Sequence, residues 1–305
     1  MVTSVRGAGY RLLGPRFAYL LHTRPAEWPI MAAHTLLGYL LAVGVHGAQR
    51  GERLGPALLG IALWVVCLNG GTLALNSAYD RDEGDIAYLR RPPPPPAHLA
   101  GFGFCLMTLG LLGALLLPPG YRAAYAVCLG LSVLYSVPPF RLKAVPGADW
   151  VINMWGFGTL TPYAGWAATG IPLDYTHGMV LLAFCPLFAA LYPLTQLYQL
   201  EEDSRRGDRT LALILGVRRS LLVSLSTAGV AFALLALAGL RVGWGPHDVR
   251  RWLPLAVCAV LWGVVLVSWL LRHAGMSARD HQRRMYQALG AWAVTDVAVV
   301  LVWGT

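Results

Sequence analysis

Nine stretches of about twenty residues in this 305-residue chain are almost free of charge, at roughly 29–48, 56–79, 99–117, 120–137, 150–170, 178–200, 217–240, 252–271 and 285–303. An α-helix rises 1.5 Å per residue, so about 20 apolar residues cross a hydrocarbon core of about 30 Å. Few other folds could use so many such segments. With 56% hydrophobic and 13% charged residues and a mean hydropathy of +0.54, the chain is too apolar for a soluble domain of its length. The expected fold is an all-α polytopic membrane protein of about nine transmembrane helices, with residues 29–305 as one membrane domain. Residues 1–28 form a basic N-terminal segment without an apolar core or small-residue cleavage site, which argues against a cleaved signal peptide. Its Arg6, Arg11 and Arg16, interleaved with Tyr10, Leu12, Leu13 and Phe17, suit either an interfacial helix or a frayed tail.

The net charge of +9 is a matter of topology and gives no sign of a nucleic-acid partner. Only Arg50, Arg53, Arg122, Arg241, Arg250 and Arg251 fall on one side of the expected spans, leaving 18 of the 24 Lys and Arg on the other. That asymmetry predicts a cytoplasmic N-terminus. The five cysteines all lie inside spans without paired spacing, so they read as small packing residues.

Against this background the acids are concentrated. Eight of the 15 fall in two short segments, "NSAYDRDEGD" at 76–85 and "QLEEDSRRGD" at 199–208, at the ends of the second and sixth spans. At 100° per residue Asn69, Thr72, Asn76, Asp80 and Glu83 make one polar stripe, with Asp85 on the opposite side unless Gly84 ends the helix first. Tyr192, Gln196, Gln199 and Asp203 share a face on the sixth span. Polar groups at membrane depth are costly and face a cavity or the bundle interior. Oxygen-only ligands on facing helices suit a hard cation such as Mg²⁺, which shares its shell with phosphate. The fourth span ends in "YSVPPFRLK", residues 135–143, where Arg141 and the only lysine, Lys143, offer a fork and a point charge to a diphosphate. The run Pro92–Pro96 reads as a stiff spacer.

These three motifs, in this order on spans two, four and six, resemble the UbiA-type intramembrane prenyltransferase superfamily, and "HTRPAEWP" at 22–29 resembles that family's entry to its first helix. The resemblance implies a helical bundle around a central cavity and an enzyme that ionises an isoprenyl diphosphate with Mg²⁺. The prenyl group then passes to a lipophilic acceptor, an aromatic ring or quinone precursor, and diphosphate leaves. It implies Asn76, Asp80, Glu83 or Asp85, Gln199 and Asp203 as metal ligands, with Glu83 favoured over Asp85 by helical phase. Arg141 and Lys143 would grip the diphosphate, with Arg24 and Arg206 as further candidates. Asn76, Asp80, Asp203, Lys143 and Arg141 form the expected catalytic set. Asn69, Thr72, Asn153 and Gln196 would line the prenyl and acceptor cavity, and Tyr135, Trp155, Phe157, Tyr192 and Tyr198 would shield the carbocation. The sequence departs from the family pattern at Gly84, and at Gln196 and Gln199 where acids are expected. A terpene cyclase on the same fold is the alternative; a cation transporter, which could claim the deep acid Asp296, is more remote. The expected location is a bacterial inner membrane, with membrane lipids around the protein and no obligate protein partner.

Overall fold

The computed structural model describes residues 2–80, 89, 91–207 and 209–305, without the side chains of residues 2–4, Glu202 and Arg206. Two short helices open it, α1 (Val2–Leu13) and α2 (Phe17–His22). The arm they form is docked and not frayed. Arg6 Nη1 donates to the Arg91 carbonyl at 2.9 Å, and His22 Nε2 lies 3.1 Å from the Pro93 carbonyl, so the arm is tied to the proline run.

Ten further helices follow: α3 (Trp28–Gln49), α4 (Leu54–Asp80), α5 (Leu99–Ala114), α6 (Pro119–Ser136), α7 (148–168), α8 (Tyr175–Gln196), α9 (Leu200–Arg206), α10 (Leu211–Arg241), α11 (Val249–Arg272) and α12 (Ala278–Trp303). No strand occurs among the described residues. Six of the helices, α3, α4, α8, α10, α11 and α12, are long and apolar enough to cross a membrane. Of the nine expected spans, those three that coincide with α5, α6 and α7 do not meet that measure. Local chemistry sets the helix starts. Asp174 accepts from the His177 N–H, Thr210 from the Leu213 N–H, and Ser277 with Asp280 forms a reciprocal capping box.

Lipid gives no hydrophobic drive between helices, so small residues and close backbones do the packing. The α3–α7 crossing shows this most sharply. A Cβ on Gly38 would lie 1.7 Å from the Pro162 carbonyl oxygen, and one on Gly165 would lie 1.8 Å from that of Thr35. The outer faces of α10, α11 and α12 instead carry exposed Leu and Val, the inverse of a soluble surface.

Two helices are locally under-wound, which regular 100° phasing does not anticipate. Leu63–Asn69 of α4 and Met154–Leu160 of α7 are π-helical, a form common at functional sites. The Thr161 hydroxyl donates to the Gly156 carbonyl five residues back at 2.9 Å, and accepts from Trp64 Nε1 at 3.2 Å. The two under-wound turns are thus joined to each other.

The glycine crossing makes a clear prediction. Gly165→Leu forces backbones apart, and overpacking costs about 1–3 kcal/mol or more. Its thermal unfolding midpoint in detergent should fall by several degrees, whereas Gly55→Ala, with nothing within 4 Å of the new Cβ, should leave it nearly unchanged.

Candidate active site

The under-wound turns face a cavity of about 310 Å³ lined by residues of α3, α4, α6, α7, α8 and α12. From α4 come Trp64, Leu68, Asn69, Thr72 and Asn76, as the polar stripe predicts. Thr72 Oγ1 lies 2.8 Å from both the Leu68 carbonyl and Ser132 Oγ, which satisfies its hydroxyl inside the wall. Opposite, Phe157 of α7 stacks on Phe188 of α8 with centroids 5.3 Å apart, and Phe188 is followed by Tyr192 at 6.4 Å. The hydroxyls of Tyr192 and Tyr135 lie 3.1 Å apart. Tyr198 and Asn153 complete the expected lining.

Charge collects one turn beyond Asn76, on Asp80, Arg141 and Lys143, which are not themselves on the cavity wall. Asp80, at the last residue of α4, pairs with Lys143 and lies 3.7 Å from Arg141 Nη2; its side chain is 7% exposed. Arg141 and Arg24 both hold left-handed backbone, at φ 35° and 50°. Such conformations cost about 1–3 kcal/mol and persist where the surroundings enforce them. Arg24 is buried on the cavity wall, and its Nε has no hydrogen-bond partner among the described residues.

Not every expected residue joins this site. Trp155 points away from the cavity and is 41% exposed. Gln196 is absent from the wall because both ends of its amide are engaged: Nε2 donates to Asp149 Oδ2 at 3.0 Å and Oε1 accepts from the Ala212 N–H at 3.2 Å. Asp203 is buried on α9, which packs against α10, and Gln199 precedes that helix. Glu83, Asp85 and the Arg206 side chain lie outside the described residues. Among the described residues, no three His, Cys, Asp or Glu side chains converge as a metal cluster.

The structure also brings forward residues that motif reading passed over. Glu27 is the one acid on the cavity wall among the described residues, and its carboxylate has no hydrogen bond or ion pair there. Burial pushes its pKa up, with Arg24 opposing the shift. Asp149 is fully buried where α7, α8 and α10 meet. It accepts from the Gly147 N–H at 2.9 Å and the Leu211 N–H at 3.5 Å as well as from Gln196. The deep acid Asp296 is also partnered: His34 Nδ1 lies 3.1 and 3.2 Å from its two oxygens, and His34 Nε2 is 3.3 Å from the Gly158 carbonyl. That pair braces α3, α7 and α12 and does not line the cavity.

A helical membrane bundle around an aromatic-walled cavity, with a charged cluster beyond one end of its polar stripe, defines a class of intramembrane protein. The chain belongs to the UbiA prenyltransferase family, which it matches over residues 31–290. It is a member of an enzyme family and a multi-pass membrane protein. Among its relatives are a probable chloroplastic homogentisate phytyltransferase 2 of Oryza sativa subsp. japonica, 29% identical over 236 residues, and a lycopene elongase/hydratase of Haloferax volcanii, 27% identical over 241. These matches cover 69% and 76% of this chain, and 58% and 76% of the relatives' own lengths. A solved structure concerned with digeranylgeranylglyceryl phosphate synthase in membranes superposes with a TM-score of 0.67 at 15% identity, covering 94% of this chain and 97% of that one. A UbiA homologue from Archaeoglobus fulgidus bound to DMAPP and Mg²⁺ gives 0.64 at 19% identity, covering 92% and 98%. At these identities the structural likeness establishes the fold.

The Asp149 junction can be tested on its own. Asp149→Ala leaves three N–H groups unpaired, each worth about 1–3 kcal/mol when buried. The variant should lose far more thermal stability in detergent than Glu201→Ala, whose side chain is exposed.

Proposed function

We propose that the protein is a Mg²⁺-dependent membrane prenyltransferase that ionises an isoprenyl diphosphate and transfers the prenyl group to a lipophilic acceptor, an aromatic ring or quinone precursor. The single observation carrying this is polarity: the Asp80, Lys143 and Arg141 cluster lies one turn beyond Asn76 of the cavity wall, Arg24 is on that wall, and the remaining lining is mainly aromatic and aliphatic. The relatives' names and ligands, phytyl transfer to homogentisate in one and DMAPP with Mg²⁺ in another, support the same reading. Residues 29–305 act as one catalytic domain in a cell membrane, with α5, α6 and α7 also crossing it and the arginine-rich N-terminal arm on the cytoplasmic side.

The residues fit a hard cation. Asn76 Oδ1 is buried without a hydrogen-bond partner among the described residues, one turn from the Asp80 carboxylate, and both are oxygen donors of the kind Mg²⁺ takes. Asp203 with Gln199, and Glu83 or Asp85, would complete the ligand set. Mg²⁺ bound there would neutralise charge on the diphosphate and make it a better leaving group. Lys143 and Arg141, which balance Asp80, would donate to the leaving diphosphate together with Arg24 and Arg206. Phe157, Phe188, Tyr135 and Tyr192 would present ring faces to the allylic cation and keep water from it. Glu27 would accept the proton that the acceptor loses after its carbon bonds the prenyl group.

The test uses membranes carrying the protein, geranylgeranyl diphosphate and Mg²⁺, with and without an aromatic acceptor such as homogentisate or a polyene such as lycopene. Diphosphate release that depends on Mg²⁺ and stops with EDTA is expected. Asp80→Ala and Asp203→Ala should lower it by roughly a hundredfold or more, and Lys143→Ala by about ten- to a hundredfold, the range that corresponds to one charge-assisted bond of about 1.5–3 kcal/mol. Full activity in all three variants would remove the assignment. A hydrocarbon or alcohol formed from the diphosphate alone would make the protein a cyclase.

Glu27→Gln separates the two halves of the reaction. Diphosphate release should persist while coupled product falls by about 10²–10⁴-fold, the usual contribution of a general base. Equal loss of both would return Glu27 to a binding role.

A further inference from the structure

A second recess lies far along the chain from the motif residues, where α11 turns into α12. It has a volume of about 330 Å³ and is lined by Arg272, Met276, Asp280, Arg283, Arg284 and Gln287. Three guanidinium groups meet one carboxylate, and that carboxylate is already engaged. Asp280 Oδ2 accepts from the Ser277 N–H at 3.0 Å and the Ser277 hydroxyl at 2.6 Å, as part of the cap that starts α12. Arg272 and Arg283 make no hydrogen bond or close ion pair among the described residues, and Arg283 is near enough to the Asp280 carboxylate to interact with its charge. Arg284 is held in place from behind, with Nη1 donating to Ser268 Oγ and Gln287 Oε1, both at 3.1 Å. Its Nε and Nη2 have no such partner there. With three guanidinium groups to one carboxylate, the recess holds an excess of positive charge with a pre-set fork, the arrangement that matches phosphate oxygens.

The surroundings say which phosphate. Val257, Val260, Val264, Val267 and Leu271 are all exposed on α11, at steps of three and four, so they form one continuous outward stripe. The stripe ends at Leu271, which is 79% exposed and immediately precedes Arg272. Ser268, next to Val267, is the residue that steadies Arg284. An apolar track thus runs along the outside of a membrane helix and stops against the arginines. A free phosphate ion would use only the recess; a phospholipid would use both, acyl chain on the stripe and headgroup among the guanidiniums.

We infer that Arg272, Arg283 and Arg284 form a binding site for the headgroup phosphate of an anionic phospholipid, whose chains lie on the exposed stripe of α11. Nothing in the prenyl-transfer reading requires or supplies this site.

The experiment uses the whole protein reconstituted in vesicles of phosphatidylcholine with a minor fraction of phosphatidylglycerol. After extraction in mild detergent, retained lipid is identified and counted by native mass spectrometry. Three proteins are compared: the unaltered chain, Arg272→Gln/Arg283→Gln, and Arg250→Gln/Arg251→Gln, which removes the same charge at the opposite end of α11. The unaltered protein should retain phosphatidylglycerol well above its share of the vesicle. The recess variant should lose that enrichment by roughly tenfold or more, since each of the two arginines near a charged surface contributes about fivefold. The opposite-end variant should keep it, and millimolar inorganic phosphate should not displace it. Equal enrichment in the recess variant, equal loss in the opposite-end variant, no enrichment in the unaltered protein, or displacement by free phosphate would each overturn the inference. Arg284→Gln, with circular dichroism unchanged, gives the same reading if the double variant fails to fold.

Discussion

A carboxylate at the edge of hydrocarbon has to be neutralised, and the way Asp80 is neutralised orders the active end of this molecule. Its partners Lys143 and Arg141 come from the turn after α6, so the end of α4 and the end of α6 are drawn to the same point. Strained left-handed backbone at Arg141 is tolerated because this contact and the turn hold it there. The cavity itself is built mainly from rings and aliphatic chains, and Asn69 Nδ2 and Asn76 Oδ1 are buried without a hydrogen-bond partner among the described residues. The result is a largely apolar compartment with charge gathered beyond one end of its polar stripe.

The helical segments were largely legible because hydropathy records burial in lipid directly. Asn69, Thr72 and Asn76 were also legible, since three amide or hydroxyl groups at helical spacing on an apolar span have few other uses. The limits of the reading are equally physical. Regular phasing fails where α4 and α7 are under-wound, and no residue type announces a π-turn. Gln196 shares a face with Asp203 by arithmetic, yet its amide is taken by Asp149 and the start of α10, a long-range contact that spacing cannot reveal. Trp155 falls within a span whose inward face is set by that same under-wound turn. Glu27 and Asp149 carried a faint signal: each is a single acid at the head of an apolar segment, where an unneeded charge is costly.

The under-wound turns also explain how a bundle packed so closely at Gly38 and Gly165 contains a cavity at all. Helices that touch backbone to backbone at one level leave no room between them there. A π-turn widens the helix and shifts the residues after it, and the two such turns face the same space. The hydrogen bond from Trp64 to Thr161 fixes their separation, so the width of the cavity depends on two helices that are distorted together.

The break in α3 at Gly44, where φ is 72°, leaves the Val45 N–H without its helical acceptor. The acceptor comes from the far end of the chain: the Gly304 carbonyl, just beyond α12. During synthesis, at about 5–20 residues per second, the first long helix therefore waits on the order of tens of seconds for the residue that completes it. Until then the Val45 amide at the seam between α3 and α12 lacks this acceptor. The break in α3 is thus closed by a residue beyond α12, so the two helices complete each other although most of the chain lies between them.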